Sequence, residues 1–473
     1  MKSIKNIGIL ALLLFCASCE EQLNEVPENF ITSSNFFNTE TEAFAALVGV
    51  YQVLGTIYDN NGIIVFGDMA ANTAAQFPGG AELGVYDFYQ VGAQDPSLLS
   101  IWRSSYQGIN RANTLIENIV KADMEDSKKE QFIGEAKTLR ALHYFNLVRI
   151  FGGVPLVVDA VSSLEGLAVP RNSEDEIFAQ IIQDLKDAEV VCSDTPESPG
   201  RVSKLVATSF LSKVYLTVKD YTNAAESSSR VIQSGNYQLW TNFSDAFTVE
   251  NEDGKETIFS AQYLAGAVGT NIHSYVSPQS LDPFYQGGRA FGVYIAADEL
   301  IESFETGETR AEGTIWSEVY VASVDSTVQL RATMFSKYSD EIFDIPNIAS
   351  GSINFPIIRY SDILLVFAEA ENELNPVSTL ALESLNKVHR RAFAYSPNDA
   401  SPVDLISTSQ NELRELIWTE RFKELALEGH QWFDLKRTDR LVGELGIEDF
   451  KQVYPIPQNE LDTNPNMEQN PGY

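Results

Sequence analysis

For a chain of 473 residues, positive charge, cysteine and histidine are all scarce. The 33 Lys and Arg face 66 Asp and Glu, a formal charge of −33. Binding a polyanion by neutralising its phosphates needs clustered cations, so nucleic acid is excluded as a partner. Three cysteines do not make a disulfide framework, and histidines 143, 273, 389 and 430 show no metal-ligand spacing. None of them is followed by Glu, so there is no HExxH zinc site. GxSxG, GxxxxGK(S/T) and GxGxxG are also missing, and with them the signatures of a nucleophile elbow, a phosphate loop and a dinucleotide fold. Neither a metal nor a cofactor is expected. After the N-terminus no stretch approaches 18 consecutive apolar residues, so no transmembrane helix is expected. A glycosidase needs only two well-placed carboxylates, and 66 acidic residues neither establish nor exclude one.

What is present is ordinary globular composition, 44% apolar and 21% charged. Lys2 and Lys5 precede an apolar run from Ile7 to Cys16, then Ala17, Ser18 and Cys19. Ten apolar residues are too few to span a bilayer of about 30 Å, so residues 1–18 read as a signal peptide. Small residues directly before a cysteine mark lipoprotein processing, with Cys19 acylated as the new N-terminus. Ordinary secretory cleavage is the alternative, and Cys16 stands where a lipobox usually has Leu. An acylated Cys19 would anchor the protein to a membrane, each buried methylene adding about 0.8 kcal/mol. Cys192 would then be the one thiol left, a small buried hydrophobe at an apolar helix end.

Residues 19–40 form a polar leader, and 41–473 are expected to form one domain. Apolar spacing of three and four predicts helices over about 41–51, 97–121, 128–151, 173–192, 203–219, 221–234, 360–375, 377–393 and 409–428. His143 shares a face with Ala136, Leu139, Leu147 and Ile150, which makes it a satisfied core histidine rather than a ligand. Leu211, Ser212, Tyr215 and Ala224 follow the tetratricopeptide pattern, with a second candidate hairpin crossing at Ala381. The fold class is therefore all-α, a scaffold of helical hairpins with two long irregular insertions at about 58–96 and 241–359. Loops of that length rich in glycine and aromatics suit binding, although packing onto the helices accounts for most single aromatics. Asn251, Asp253, Gly254 and Glu256 faintly match a calcium loop but read better as a solvated turn. Glu420, Glu424 and Glu428 recur every fourth residue on one helix face that Gly429 would end. They could hold a cation; ion pairs with Arg421, Arg437 or Arg440 are the preferred reading.

The order of motifs resembles the SusD/RagB family of outer-membrane lipoproteins. It includes Leu139-Arg140-Ala141 with Tyr144, Phe151-Gly152-Gly153-Val154-Pro155-Leu156, and Ala207 to Leu216 with Asp220-Tyr221 and Ala224. Arg359-Tyr360-Ser361-Asp362, Ala368-Glu369-Ala370 and Leu385-Asn386 follow, His389 standing where the family more often has Arg. The match closes with Glu420-Arg421, Glu424-Leu425, Glu428-Gly429, Trp432, Asp434-Leu435, Arg437, Tyr454-Pro455-Ile456-Pro457 and Gln469-Asn470-Pro471-Gly472-Tyr473. The resemblance implies a tetratricopeptide-like scaffold that captures oligosaccharides, or in some branches peptides, at the cell surface. It further implies a partner, a SusC-like TonB-dependent transporter, and no bond broken. Glu20 and Glu21 after Cys19 fit surface export in such proteins. Because the family's motifs are structural, the ligand surface has to be read from chemistry. Sugars stack apolar C–H faces on aromatic rings and bond their hydroxyls to polar side chains. The expected glycan contacts are Asp68, Asn72 and Phe77 from the first insertion and Tyr285, Arg289 and Trp316 from the second.

Overall fold

Among the described residues, seven of the nine long helices start at a side chain able to take up the free backbone N–H groups of a first turn. In this computed structural model, residues 36–473 are described except 60–61, 79–82, 162–167 and 341. The signal segment and Cys19 lie outside them. Thr39 and Ser173 form capping boxes with Glu42 and Glu176 at the starts of α1 (Glu40–Tyr51) and α4 (Glu174–Val191). Asp95 takes the Ser97 and Leu98 N–H groups ahead of α2 (Pro96–Asn118). Ser203, Asp220, Ser378 and Ser409 likewise cap α5 (Lys204–Thr217), α6 (Tyr221–Gln233), α8 (Thr379–Ala392) and α9 (Gln410–Glu424). The remaining pair, α3 (Asp126–Phe151) and α7 (Tyr360–Leu374), have no side-chain cap. Neighbouring helices pack as hairpins, α2 on α3, α3 on α4, α5 on α6 and α7 on α8. Leu211, Ser212, Tyr215, Ala224 and Ala381 are all buried at the crossings the tetratricopeptide pattern assigned them.

His143 is fully buried in α3, and its Nε2 lies where a Cβ on Gly108 of α2 would come within 2.1 Å. It is a core residue, but not a satisfied one. Neither ring nitrogen has a hydrogen-bond partner among the described residues, and burial pushes its pKa down to about 3, so the ring is neutral. Cys192 is buried against Gly134, and burial pushes its thiol up to about 12.

The two insertions are less irregular than their composition predicts. The first contributes β1 (Ala74–Gln76) and the second β3 (Tyr294–Ala296), β4 (Ile315–Val321) and β5 (Ser326–Phe335) to one antiparallel sheet of order β1-β3-β5-β4. β2 (Thr257–Ala261) pairs with β6 (Phe355–Arg359), which runs directly into α7.

A buried ionic network ties this sheet region to α9. Glu424 meets Arg310 and Arg359, each at 2.9 Å, and also Arg391. Glu420 pairs with Arg310 at 2.7 Å and His389 Nδ1 at 2.9 Å, while Glu428 pairs with Arg359 at 2.6 Å and Lys337 at 2.9 Å. Glu256 bonds Arg359 and Arg391, so it is a buried anchor and no part of a solvated turn. The preference for ion pairing holds, but the partners differ from those expected. Arg421 is taken by Asp362 and Asp434, Arg437 by Glu369 and Asp434, and Arg440 by Glu444. Only Glu420 and Glu424 lie on the helix, with Glu428 in the turn beyond it, and the partners come from segments over 60 residues away or on other helices.

The same contacts stop α9 at Glu424, a turn before the expected end. The carbonyls of Glu424 and Ala426 accept from Lys337 Nζ, and the N–H groups of Leu427 and Gly429 donate to Asp68. Leu427 adopts a left-handed φ of 61° within that capture.

Candidate ligand clefts around the β1-β3-β5-β4 sheet

The sheet joins the two insertions that sequence separates by some two hundred residues. Ala75, Ile295, Met334 and Trp316 stand opposite one another in a row across its four strands. At about 4.8 Å per strand, the row places Trp316 and Ala75, two residues before Phe77, on opposite edge strands roughly 14 Å apart. The six expected contact residues are therefore distributed, and the structure does not gather them into one pocket.

Trp316 is half-buried on one wall of an open cleft of about 340 Å³. Phe247 and Phe343 are the other aromatics there, and Glu312, Asp340 and Asp344 supply carboxylates. The Val249 N–H donates to Asp340 Oδ2 at 2.7 Å, which fixes that carboxylate in the wall. Tyr285 is only 8% exposed; its hydroxyl donates to the Pro278 carbonyl at 2.9 Å and its ring lies 5.6 Å from Phe343. Tyr285 therefore supports the aromatic wall from behind and is not a contact surface itself. Arg289 is exposed on the same insertion.

The other three residues lie elsewhere. Phe77 borders a crevice of about 20 Å³ with Gln279, Arg331 and Met334. That is room for little more than one water. Asn72, in a left-handed turn at φ 57°, lines a separate cleft of about 280 Å³ with Phe422, Gln431 and Trp418, whose ring is covered by Arg440 at 4.0 Å.

Asp68 is fully buried and cannot meet a ligand from the cleft. Its oxygens accept the Leu427 N–H at 3.2 Å and the Gly429 N–H at 2.5 Å, tying the first insertion to the turn after α9. Burial raises its pKa to about 7, with the Gly429 and Leu427 N–H groups and Lys337 pulling the other way. An unfolded Asp titrates near 3.9, so the native state holds the extra proton between about pH 4 and 7. The contribution of Asp68 to stability is then greatest below pH 4 and falls as pH rises to 7. Urea midpoints at pH 5, 6, 7 and 8 should show that decline in the parent and lose it in Asp68→Asn. Parallel curves would refute the assignment.

Sequence reasoning missed Phe343, Asp340 and Asp344, although the run Asp340 to Asp344 already places an aromatic between acids. It also missed Trp418, whose i, i+4 spacing to Phe422 on α9 was readable. A larger cleft, about 650 Å³, lies between the end of α1 and α2 and is lined by Gln52, Asp59, Gln107, Arg111 and Tyr263. Its one aromatic, Tyr263, is buried with its hydroxyl on the Gly55 carbonyl, so it offers no stacking face. Among the described residues no cluster of His, Cys, Asp and Glu is arranged to hold a metal, and no helix is long and apolar enough to cross a membrane.

Two family models match: the SusD family over residues 306–446, and "starch-binding associating with outer membrane", a SusD-like model, over 25–216. SusD-like protein P2 of Formosa agariphila is 28% identical over the full length of both chains. A laminarin binding SusD-like protein of known structure is 26% identical with a TM-score of 0.79, covering 92% of this chain and 100% of its own. The fold is also that of a SusD superfamily protein from Parabacteroides distasonis, at 24% identity and a TM-score of 0.82, covering 94% of this chain and 100% of the other. The full-length relatives run from the leader to the last helices, and the ion-paired α9 motif lies within the SusD family match: the chain is SusD-like along its length.

Proposed function

We propose that this protein captures oligosaccharides at the outer face of the outer membrane and passes them to a SusC-like TonB-dependent transporter, without breaking a bond. Acyl chains on Cys19 would hold it there, because an anionic protein gains nothing from an anionic membrane. The observation that carries the reading is that Trp316 and Phe343 line one open cleft with Asp340, Asp344 and Glu312. An indole face stacks on sugar C–H groups, and carboxylates accept hydroxyl protons in charge-assisted bonds. The similarity to a laminarin binding protein supports the same ligand class.

Calorimetry against a panel of oligosaccharides of different linkage tests it. Trp316→Ala should weaken the best ligand by about 30-fold, the loss of one buried aromatic anchor worth ~2 kcal/mol. The ligand should be recovered intact. Shortened products would support a surface glycosidase instead, and binding of peptides without glycans would support peptide uptake.

A further inference from the structure

We infer that the Trp316 cleft selects by charge, accepting neutral oligosaccharides and refusing those that carry uronate or sulfate groups. This deepens the glycan reading above and rests on it. Two of the cleft's carboxylates, Glu312 and Asp344, are exposed, and a third, Asp340, is half-buried and held by the Val249 N–H. The one cation among the described lining residues is Lys337.

Lys337 has no charge to spare for a ligand. Its side chain is fully buried, and Nζ donates to the Ala426 carbonyl at 2.6 Å and Glu428 Oε1 at 2.9 Å. Turning outward would leave Glu428 with one fewer partner inside the core and uncap the end of α9, a loss that a surface ligand does not repay. Among the described residues the cleft thus presents three carboxylates and no available counter-charge. A ligand carboxylate or sulfate there meets like charges in a partly desolvated space, where Coulomb repulsion is several-fold stronger than in bulk water. A neutral sugar instead donates its hydroxyl protons to the same oxygens. The formal charge of −33 adds a longer-range field that slows the approach of any polyanion.

The test uses matched ligands: neutral glucan hexasaccharides of several linkages, and the same hexasaccharides with their C6 hydroxymethyl groups oxidised to carboxylates. The neutral form should bind at least about tenfold tighter at low salt, with the gap narrowing as added salt screens the rim. In Glu312→Gln/Asp344→Asn the ratio of the two affinities should move toward one. Equal or tighter binding of the oxidised form overturns the inference, as does a ratio unchanged in the double variant. Failure of every hexasaccharide, neutral or oxidised, overturns the glycan reading itself, a result distinct from both forms binding alike.

Discussion

Replacing Glu424 by alanine should cost about 3–5 kcal/mol, or prevent accumulation of folded protein, because it leaves buried guanidinium groups without their shared carboxylate. Arg310, Arg359 and Arg391 all converge on Glu424, and all four side chains have zero exposure. Glu256, Glu308 and Glu420 would still pair with those arginines, so the loss falls short of three bare charges. It is nonetheless a large share of the roughly 5–15 kcal/mol by which a domain is stable. Glu415, exposed on the same helix, is the control: Glu415→Ala should stay within about 0.5 kcal/mol. Urea unfolding of the two variants decides the matter, and equal midpoints would show the network to be energetically neutral.

The second large effect is expected at Gly67, which ends the short helix Ile63–Gly67 just before Asp68. A Cβ there would sit 2.4 Å from the carbonyl carbon of Gly429 and 2.6 Å from its Cα. Both contacts are backbone, so nothing can rotate away, and relief requires the first insertion to lift off the turn after α9. That would also stretch the bonds from Leu427 and Gly429 to Asp68. Gly67→Ala should therefore destabilise by about 3 kcal/mol, the upper end for overpacking. Gly49→Ala, in α1 with open space around it, should instead stabilise by up to about 1 kcal/mol. Thermal or urea midpoints that leave the two variants alike would refute the backbone-contact argument.

Much of the scaffold was readable because its signals are local. Apolar spacing located the nine long helices of the described residues, mostly to within a residue or two at each end. The largest exception, α9, ends early for a reason no local pattern carries: its last carbonyls and the following N–H groups are claimed by Lys337 and Asp68 from distant parts of the chain. His143 shows a similar limit. Its place on an apolar face was legible, while the missing partner for its ring was not, since that depends on Gly108 of another helix.

The ligand surface divides the same way. Sequence composition alone established that the chain is acidic, apolar spacing that it is helical, and the motif order pointed to the family. It also marked both insertions as aromatic-rich, because residue types are written in the chain. Which aromatics face a cleft was decided by the four-stranded sheet. It set Trp316 and Phe343 in one cleft, turned Tyr285 into a support, left Phe77 at a crevice, and sent Asn72 to another cleft. Asp68 went into the core because a carboxylate there satisfies two backbone donors of a turn some 360 residues later. Spacing along a helix is fixed by covalent geometry and can be read from the sequence, whereas pairing between strands and burial of charge depend on which distant segments meet, and that belongs to the folded chain.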